Sequence, residues 1–249
     1  MNIRNTVLFA ILLTTLSGKL NAQIVTDRPD QTESSSAVPK GSLQLESGIL
    51  IGYGDNSQVN TRQMLLPTNL FRYGITERIE LRLLNQLEML KINDEKIGGI
   101  SDLEIGTKIQ LLKKENLKTE IAFLSHLITP TGTNQLSIDK YGTSNKLSIS
   151  HSISKDFGIG YNLGYNYFGE GNGDLTYSLA IGIGINEKVA VYVEPYGEVT
   201  NMDEFISNFD AGFTYLVNQK LQLDFSFGAG INQAMNYLSI GCSWLIEKG

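Results

Sequence analysis

The chain has 249 residues, a formal net charge of −6 and a 41% hydrophobic content, with a mean hydropathy of −0.08. Beyond the N-terminus no apolar run approaches the ~20 residues of a spanning helix, which excludes a helical membrane bundle. The acidic balance argues against nucleic acid as a partner, and the lone cysteine, Cys242, allows no internal disulfide.

Met1–Ala22 reads as a secretory signal: Arg4 is the positive end, Val7–Leu13 the apolar core, and Leu20-Asn21-Ala22 a cleavage site before Gln23. Cys242 is far from that site, so no lipid-anchored cysteine follows it. Loss of Arg4 and Lys19 leaves 18 cations against 26 acids, a net −8. Residues 23–40, QIVTDRPDQTESSSAVPK, are polar and carry two prolines without periodicity, so they are expected to form an extended segment. Residues 41–249 are expected to form the folded body.

Ser42–Tyr53 alternates Leu43, Leu45, Ile49, Ile51 and Tyr53 with Gln44, Glu46, Gly48 and Gly52. Such a period of two places one class of side chain on each face of a strand. Met64–Tyr73 is the second predicted strand and Ile79–Met89 the third, with Glu80, Arg82, Gln86 and Glu88 opposite the leucines. Gly99–Leu127 is the most telling stretch. Leu103, Ile105, Thr107, Ile109 and Leu111 oppose Asp102, Glu104, Gly106, Lys108 and Gln110 before a polar turn. The return strand sets Ile121, Phe123 and Leu127 against Lys118, Glu120, Ala122, Leu124 and His126. Lys146–Ser154, Ile159–Tyr167, Leu175–Ile185 and Val189–Glu198 follow, then Phe209–Val217, Leu221–Ala229 and Tyr237–Ile246.

These are twelve predicted strands, with short turns after the even-numbered ones and longer polar loops, Thr129–Ser144 longest, after the odd-numbered ones. An even count and loops sorted by length are the marks of an all-β, antiparallel, up-and-down transmembrane barrel of the outer membrane. The apolar face is then lipid-facing, with Tyr53, Tyr73, Tyr161, Tyr167, Tyr177 and Tyr215 near strand ends where interfacial girdles sit. The polar, glycine-rich face lines the lumen. Both mature termini are expected in the periplasm and Thr129–Ser144 outside the cell.

Thr26-Asp27-Arg28-Pro29-Asp30-Gln31-Thr32-Glu33, Leu70-Phe71-Arg72-Tyr73-Gly74 and Ser101-Asp102-Leu103-Glu104-Ile105-Gly106 carry a resemblance. The chain resembles a family of bacterial outer-membrane barrels named for the meta-pathway of phenol degradation and labelled simply transporters. The resemblance implies a Gram-negative outer-membrane location, contact with lipid and the barrel-assembly machinery, and a small solute of apolar or aromatic kind. One departure is the C-terminus: such barrels usually stop at an aromatic residue, whereas Trp244 is followed by Leu245-Ile246-Glu247-Lys248-Gly249.

The even faces bring Glu46, Arg72, Glu80, Arg82, Asp102, Glu104, Lys108, Lys118 and Glu120 inward. Two readings follow: a network of ion pairs bracing the wall, or a polar site orienting a solute. Asp27, Arg28 and Asp30 mark residues 23–40 as a candidate plug, the alternative being a periplasmic tail. A hydrolase would need a hydroxyl and an imidazole on one face. Ser125 flanks His126, and Ser150 and Ser152 flank His151, all adjacent and so on opposite faces. No catalytic residue, metal cluster or cofactor motif is predicted. The expected function is passage of small solutes without chemistry; the alternative is a structural or adhesive barrel acting through its outer loops.

Overall fold

In a computed structural model, residues 24–55, 59–114 and 118–248 are described; the predicted signal segment lies outside them. Thirteen strands follow in order: β1 Leu43–Asp55, β2 Asn60–Gly74, β3 Ile79–Ile92, β4 Glu95–Ile100, β5 Leu103–Lys114, β6 Thr119–Thr129 and β7 Gly142–Ser152. Then come β8 Phe157–Tyr167, β9 Asp174–Gly184, β10 Val189–Thr200, β11 Glu204–Asn218, β12 Leu221–Gly230 and β13 Ala234–Ile246. Each pairs antiparallel with its sequence neighbour except at one place. Ile79–Leu84 of β3 pairs with β5, whereas Leu87–Ile92 pairs with β4. β4 and β5 are therefore one interrupted wall strand. β1 pairs with both β2 and β13, so the twelve wall positions close with no free seam.

Period-two alternation is what makes this wall, and the faces fall as the charges predict. Outside are Leu81, Leu163, Leu223, Leu238 and Ile240, each 44–57% exposed. Inside are Glu46, Arg72, Glu80, Lys108, Glu194 and Asp210, each at most 1% exposed. The interior is polar and the exterior apolar, the inverse of a water-soluble domain. Tyr53, Tyr73, Tyr167 and Tyr215 remain exposed on the outer face.

Three local features correct or add to the strand pattern. Residues 90–102 are not an open loop: β3 and β4 run on as a hairpin through Asn93 and Asp94. β11 likewise spans 15 residues, leaving only residues 201–203 between it and β10, and the β12–β13 connection is as short, residues 231–233. Polar composition there marks water around the strands and not the end of the backbone ladder, so among the described residues only 130–141 form a long loop. Second, β2 changes face midway. Its register against β1 skips between Thr68↔Gly48 and Leu65↔Leu50, with Pro67, which cannot donate to the ladder, in the gap. Gln63 consequently faces inward, where its amide donates to Glu88 (2.7 Å), and Arg62 faces outward, 5.5 Å from the Tyr53 ring centre. Third, Lys118 is not on the inner wall; it is exposed in the β5–β6 turn with φ 47°.

The face assignment predicts an asymmetry at one site. Leu163, central in β8 and 56% exposed, should cost ~2–4 kcal/mol as Leu163→Arg, because the charge must enter hydrocarbon. Urea unfolding of the barrel in lipid vesicles should show that loss, and no measurable loss for Leu163→Ile.

Candidate functional site

Residues 24–40 run through the barrel interior as a strap, entering and leaving at one end. Ile24 donates its N–H to Gln219 O (3.1 Å), and Lys40 bridges Gly74. Ile24 and Val38 pack with Leu245 and Leu216, a small apolar lock at the strap's two ends. Leu245 is 1% exposed on the inner face, so continuing the chain beyond Trp244 supplies one side of that lock.

The strap's first charged residue meets the β2–β3–β5 wall. Asp27 Oδ2 lies 2.6 Å from Arg82 Nη1, 2.8 Å from Lys108 Nζ and 3.3 Å from Arg72 Nη1. Arg72 also reaches Glu46 and Glu80 at 2.8 Å, and Arg82 reaches Glu80 at 2.9 Å and Glu33 of the strap at 2.5 Å. The wall alone sets three cations against Glu46 and Glu80, so Asp27 completes the balance. Backbone groups join in: the Asp27 N–H donates to both Glu46 oxygens (3.1 and 3.0 Å), and the Val38 N–H donates to Glu80 (2.7 Å).

The next strap residue carries the opposite sign to the β12–β13 wall, on the far side of β1. Arg28 pairs with Asp224 of β12 at 3.0 Å and donates to Ser239 Oγ (3.0 Å). Gly48 and Gly241, directly opposite each other where β1 meets β13, make room for it. A Cβ at either position would sit 2.5 Å from a guanidinium atom. Further along, Gln31 N–H and Thr32 Oγ1 donate to Glu194 (2.7 and 2.5 Å), Thr32 meets Ser178 (2.6 Å), and Glu33 N–H donates to Asn162 (2.7 Å). Glu194, Ser178 and Asn162 lie near the middles of β10, β9 and β8, so the strap's bend reaches about mid-barrel.

Of the residues singled out from sequence, Arg72, Glu80, Arg82 and Lys108 thus converge on Asp27. Glu104 is one step removed: it bonds His126 Nδ1 (2.8 Å), and His126 Nε2 accepts from Arg82 Nε (2.9 Å). That arrangement places the imidazole proton on Nδ1. Glu120 accepts from Ser36 Oγ (2.6 Å) and Gln110 (2.9 Å). Asp30 belongs to a different cluster on the β10–β11 side, taken up below. Asp102 is not in the lumen network. It lies between β4 and β5 and binds the long outer loop, accepting from the N–H groups of Thr131, Gly132 and Ile138 (2.7–2.9 Å) and from Ser137 Oγ (2.8 Å). Glu33, Lys146, Glu194, Asp210 and Asp224 were not singled out, although the last three wall acids occupy the inward parity of their predicted strands, and His126, weighed only for a serine pair, is a member of the charge network. The histidines form no serine pair: His151 contacts Thr119 (2.9 Å) and Tyr161 (3.3 Å) on the outer face.

Two cavities flank the strap's bend. One, about 270 Å³, is lined by Gln31, Ser144, Lys146, Asn166, Tyr196 and Glu198. The other, about 430 Å³, lies between Asp30, Thr32 and Ser34 and the wall around Gly158, Gly160 and Gly182.

A closed barrel with an apolar outer face, a charged lumen and its own N-terminal segment inside it is an outer-membrane barrel. The chain belongs to the family described as "Putative MetA-pathway of phenol degradation", whose model matches residues 26–241. No curated protein matches the sequence. Among solved structures, it is similar to an outer membrane channel from Pseudomonas putida F1, at 11% identity and a TM-score of 0.68 over 85% of this chain and 98% of that one. It is also similar to the KdgM porin (9% identity, TM-score 0.56, 81% of this chain and 98% of that one) and to the NanC porin (10%, 0.53, 80% and 98%). These likenesses concern the fold.

Two outcomes are expected at these sites. Asp27→Asn leaves three buried cations facing two wall carboxylates, a loss of about 3–5 kcal/mol for the seated strap. In a Cys242→Ser background, Ser35→Cys, at a position 2% exposed, should then react with a maleimide roughly 10²- to 10⁴-fold faster, following that free-energy loss. Asp102 should show its grip in acid. Burial would raise its carboxyl, but the bonds from Ile138, Gly132, Ser137 and Thr131 outweigh burial and hold it below the ordinary value. A carboxyl depressed in the folded state stabilises above its unfolded pKa and loses that contribution as pH falls through the folded value. Hydrogen exchange of residues 129–138 should therefore accelerate below about pH 4, while Asp102→Asn should exchange fast already at pH 7.

Proposed function

We propose that this protein is an outer-membrane channel that passes small solutes and performs no chemistry on them. The observation that carries the reading is the pair of cavities meeting at Gln31–Glu33. Between the two the strap crosses the lumen, bonded to the wall by Thr32 to Ser178 and Glu194 and by Glu33 to Asn162. The strap is an N-terminal segment held by side-chain contacts and a few backbone bonds, with no place in the sheet ladder. It can leave without opening the barrel. Residues 1–22 are read as the export signal that brings the chain to this membrane.

The family's description points to small aromatic solutes, and the glycine-lined cavity has the size for one ring. Non-catalytic passage is favoured because His126 in the lumen is held between Arg82 and Glu104 with no hydroxyl on it among the described residues, while the His151–Thr119 contact lies on the lipid-facing side of the wall. The adhesive alternative relied on long outer loops, and the described outer connections are mostly short.

Removing Gln23–Pro39 should raise single-channel conductance several-fold in planar bilayers, with the heat-resistant barrel intact on gels. Conductance unchanged by that deletion would make the strap a structural filler and sink the proposed route.

A further inference from the structure

Charge pairing in the lumen is uneven. Asp27, Glu33, Glu46, Glu80 and Asp224 each have an arginine or lysine within ion-pair distance. Asp30, Glu194 and Asp210 form no ion pair among the described residues, and they lie together. Asp30 is close enough to interact electrostatically with both of the others. Glu194 (β10) and Asp210 (β11) are direct neighbours in register, and both are fully buried. Three carboxylates in a space shielded from water and lacking a countercharge are costly unless they share protons, as the neighbouring Glu194 and Asp210 are placed to do, or a positive group joins them.

Unspent hydrogen-bonding capacity marks where that group would sit. Asp210 Oδ2 accepts from Tyr237 OH (2.5 Å), but its Oδ1 has no partner. The Tyr192 hydroxyl, on a residue only 8% exposed, and Ser226 Oγ, at 0%, make no hydrogen bond of standard geometry, although the two lie within reach of each other. Tyr192 lies within electrostatic reach of Asp210, Asp30 and Glu194 together. Its ring lies over Gly212, and the Tyr237 ring lies over Gly228, so aromatic surface borders the acids. No three His, Cys, Asp or Glu among the described residues are placed to hold a metal ion, which disfavours direct chelation.

The space beside the acids is also specific. Asp30 and Tyr192 both line the 430 Å³ cavity, whose far wall is Gly158, Gly160, Ala180 and Gly182. A Cβ on Gly182 would have a single neighbour, 4.0 Å away, so that volume is open. Asp30 and the Tyr192 ring at one end, with a glycine-lined hollow at the other that Lys155 and Asp156 rim, match a primary ammonium on a small apolar or aromatic body.

We infer that Asp30, Glu194 and Asp210, with the Tyr192 hydroxyl, form a binding site for the ammonium group of a small organic cation whose body lies along the glycine wall. The inference deepens the channel reading by naming the charge of a solute the lumen takes. It rests on that reading only for its physiological use, because binding is measured where no transport occurs.

The test is calorimetric titration of the full mature chain in detergent with benzylammonium, benzyl alcohol, benzoate and potassium. Benzylammonium should bind at least tenfold more tightly than benzyl alcohol, with no benzoate binding. Asp210→Asn should weaken it at least tenfold. Asp30→Asn should do the same and, lying on the strap, leaves the barrel wall untouched should the first variant misfold. Gly182→Leu should weaken benzylammonium and spare methylammonium. Equal affinity for benzyl alcohol, or for potassium with Gly182→Leu silent, would overturn the assignment. Binding as expected without solute flux in liposomes would instead fault the channel reading and leave this site standing.

Discussion

Charges enclosed by a barrel wall have to find partners without bulk water, and that constraint governs this lumen. Arg72, Arg82 and Lys108 are buried against only two wall carboxylates, and Asp224, on β12 three strands round from β2, has no wall cation of its own among the described residues. The strap answers both with adjacent residues, Asp27 to one wall and Arg28 to the other. Consecutive side chains on an extended segment point in opposite directions, so a two-residue sign change is the shortest device that ties both walls to one strand. The strap is therefore held by charge complementarity and not by apolar burial. Its apolar contacts are confined to Ile24, Val38, Leu245 and Leu216 at the exit. Such an anchorage is specific in register, yet each contact can be exchanged for water once the segment withdraws.

Glycine supplies the second half of the design. Gly48 and Gly241 admit the Arg28 guanidinium, and Gly212 and Gly228 admit the rings of Tyr192 and Tyr237. Those contacts fill the β10–β13–β1 side. Around Gly158 and Gly182 no side chain occupies the space that glycine leaves, and a cavity remains. Absent side chains thus do two jobs in one wall: they seat the strap on one side and keep a hollow on the other. The asymmetry of charge follows the same division, with paired ions on the β2–β5 side and unpaired acids on the β10–β11 side.

Much of this was legible in residues. Alternation as regular as Leu175 to Ile185 leaves one choice of face once charges are assigned to the lumen, and Arg72, Glu80, Arg82 and Lys108 follow from it. Pairing across strands is a different matter, because it depends on register. The skip at Pro67 turned Arg62 outward and Gln63 inward, and a hairpin through Asn93 replaced a supposed loop. Asp102 has the parity of a lumen residue and still lies outside the lumen, because the chain breaks between β4 and β5 there and its carboxylate gathers loop N–H groups instead. Glu194, Asp210 and Asp224 were visible as acids of inward parity. Their importance was not, since it lies in which of them lack a cation, a property of three-dimensional neighbours.

Disulfide trapping of the strap tests the central claim most directly. Thr32 Oγ1 lies 2.6 Å from Ser178 Oγ, so cysteines at both positions, with Cys242→Ser, can be joined once the chain is exported to an oxidising compartment. A strap seated in the lumen predicts near-complete crosslinking for Thr32→Cys with Ser178→Cys, and none for Thr32→Cys with Leu179→Cys, whose side chain faces lipid. Failure of the first pair to crosslink, or equal crosslinking of both, would contradict a strap held inside the barrel.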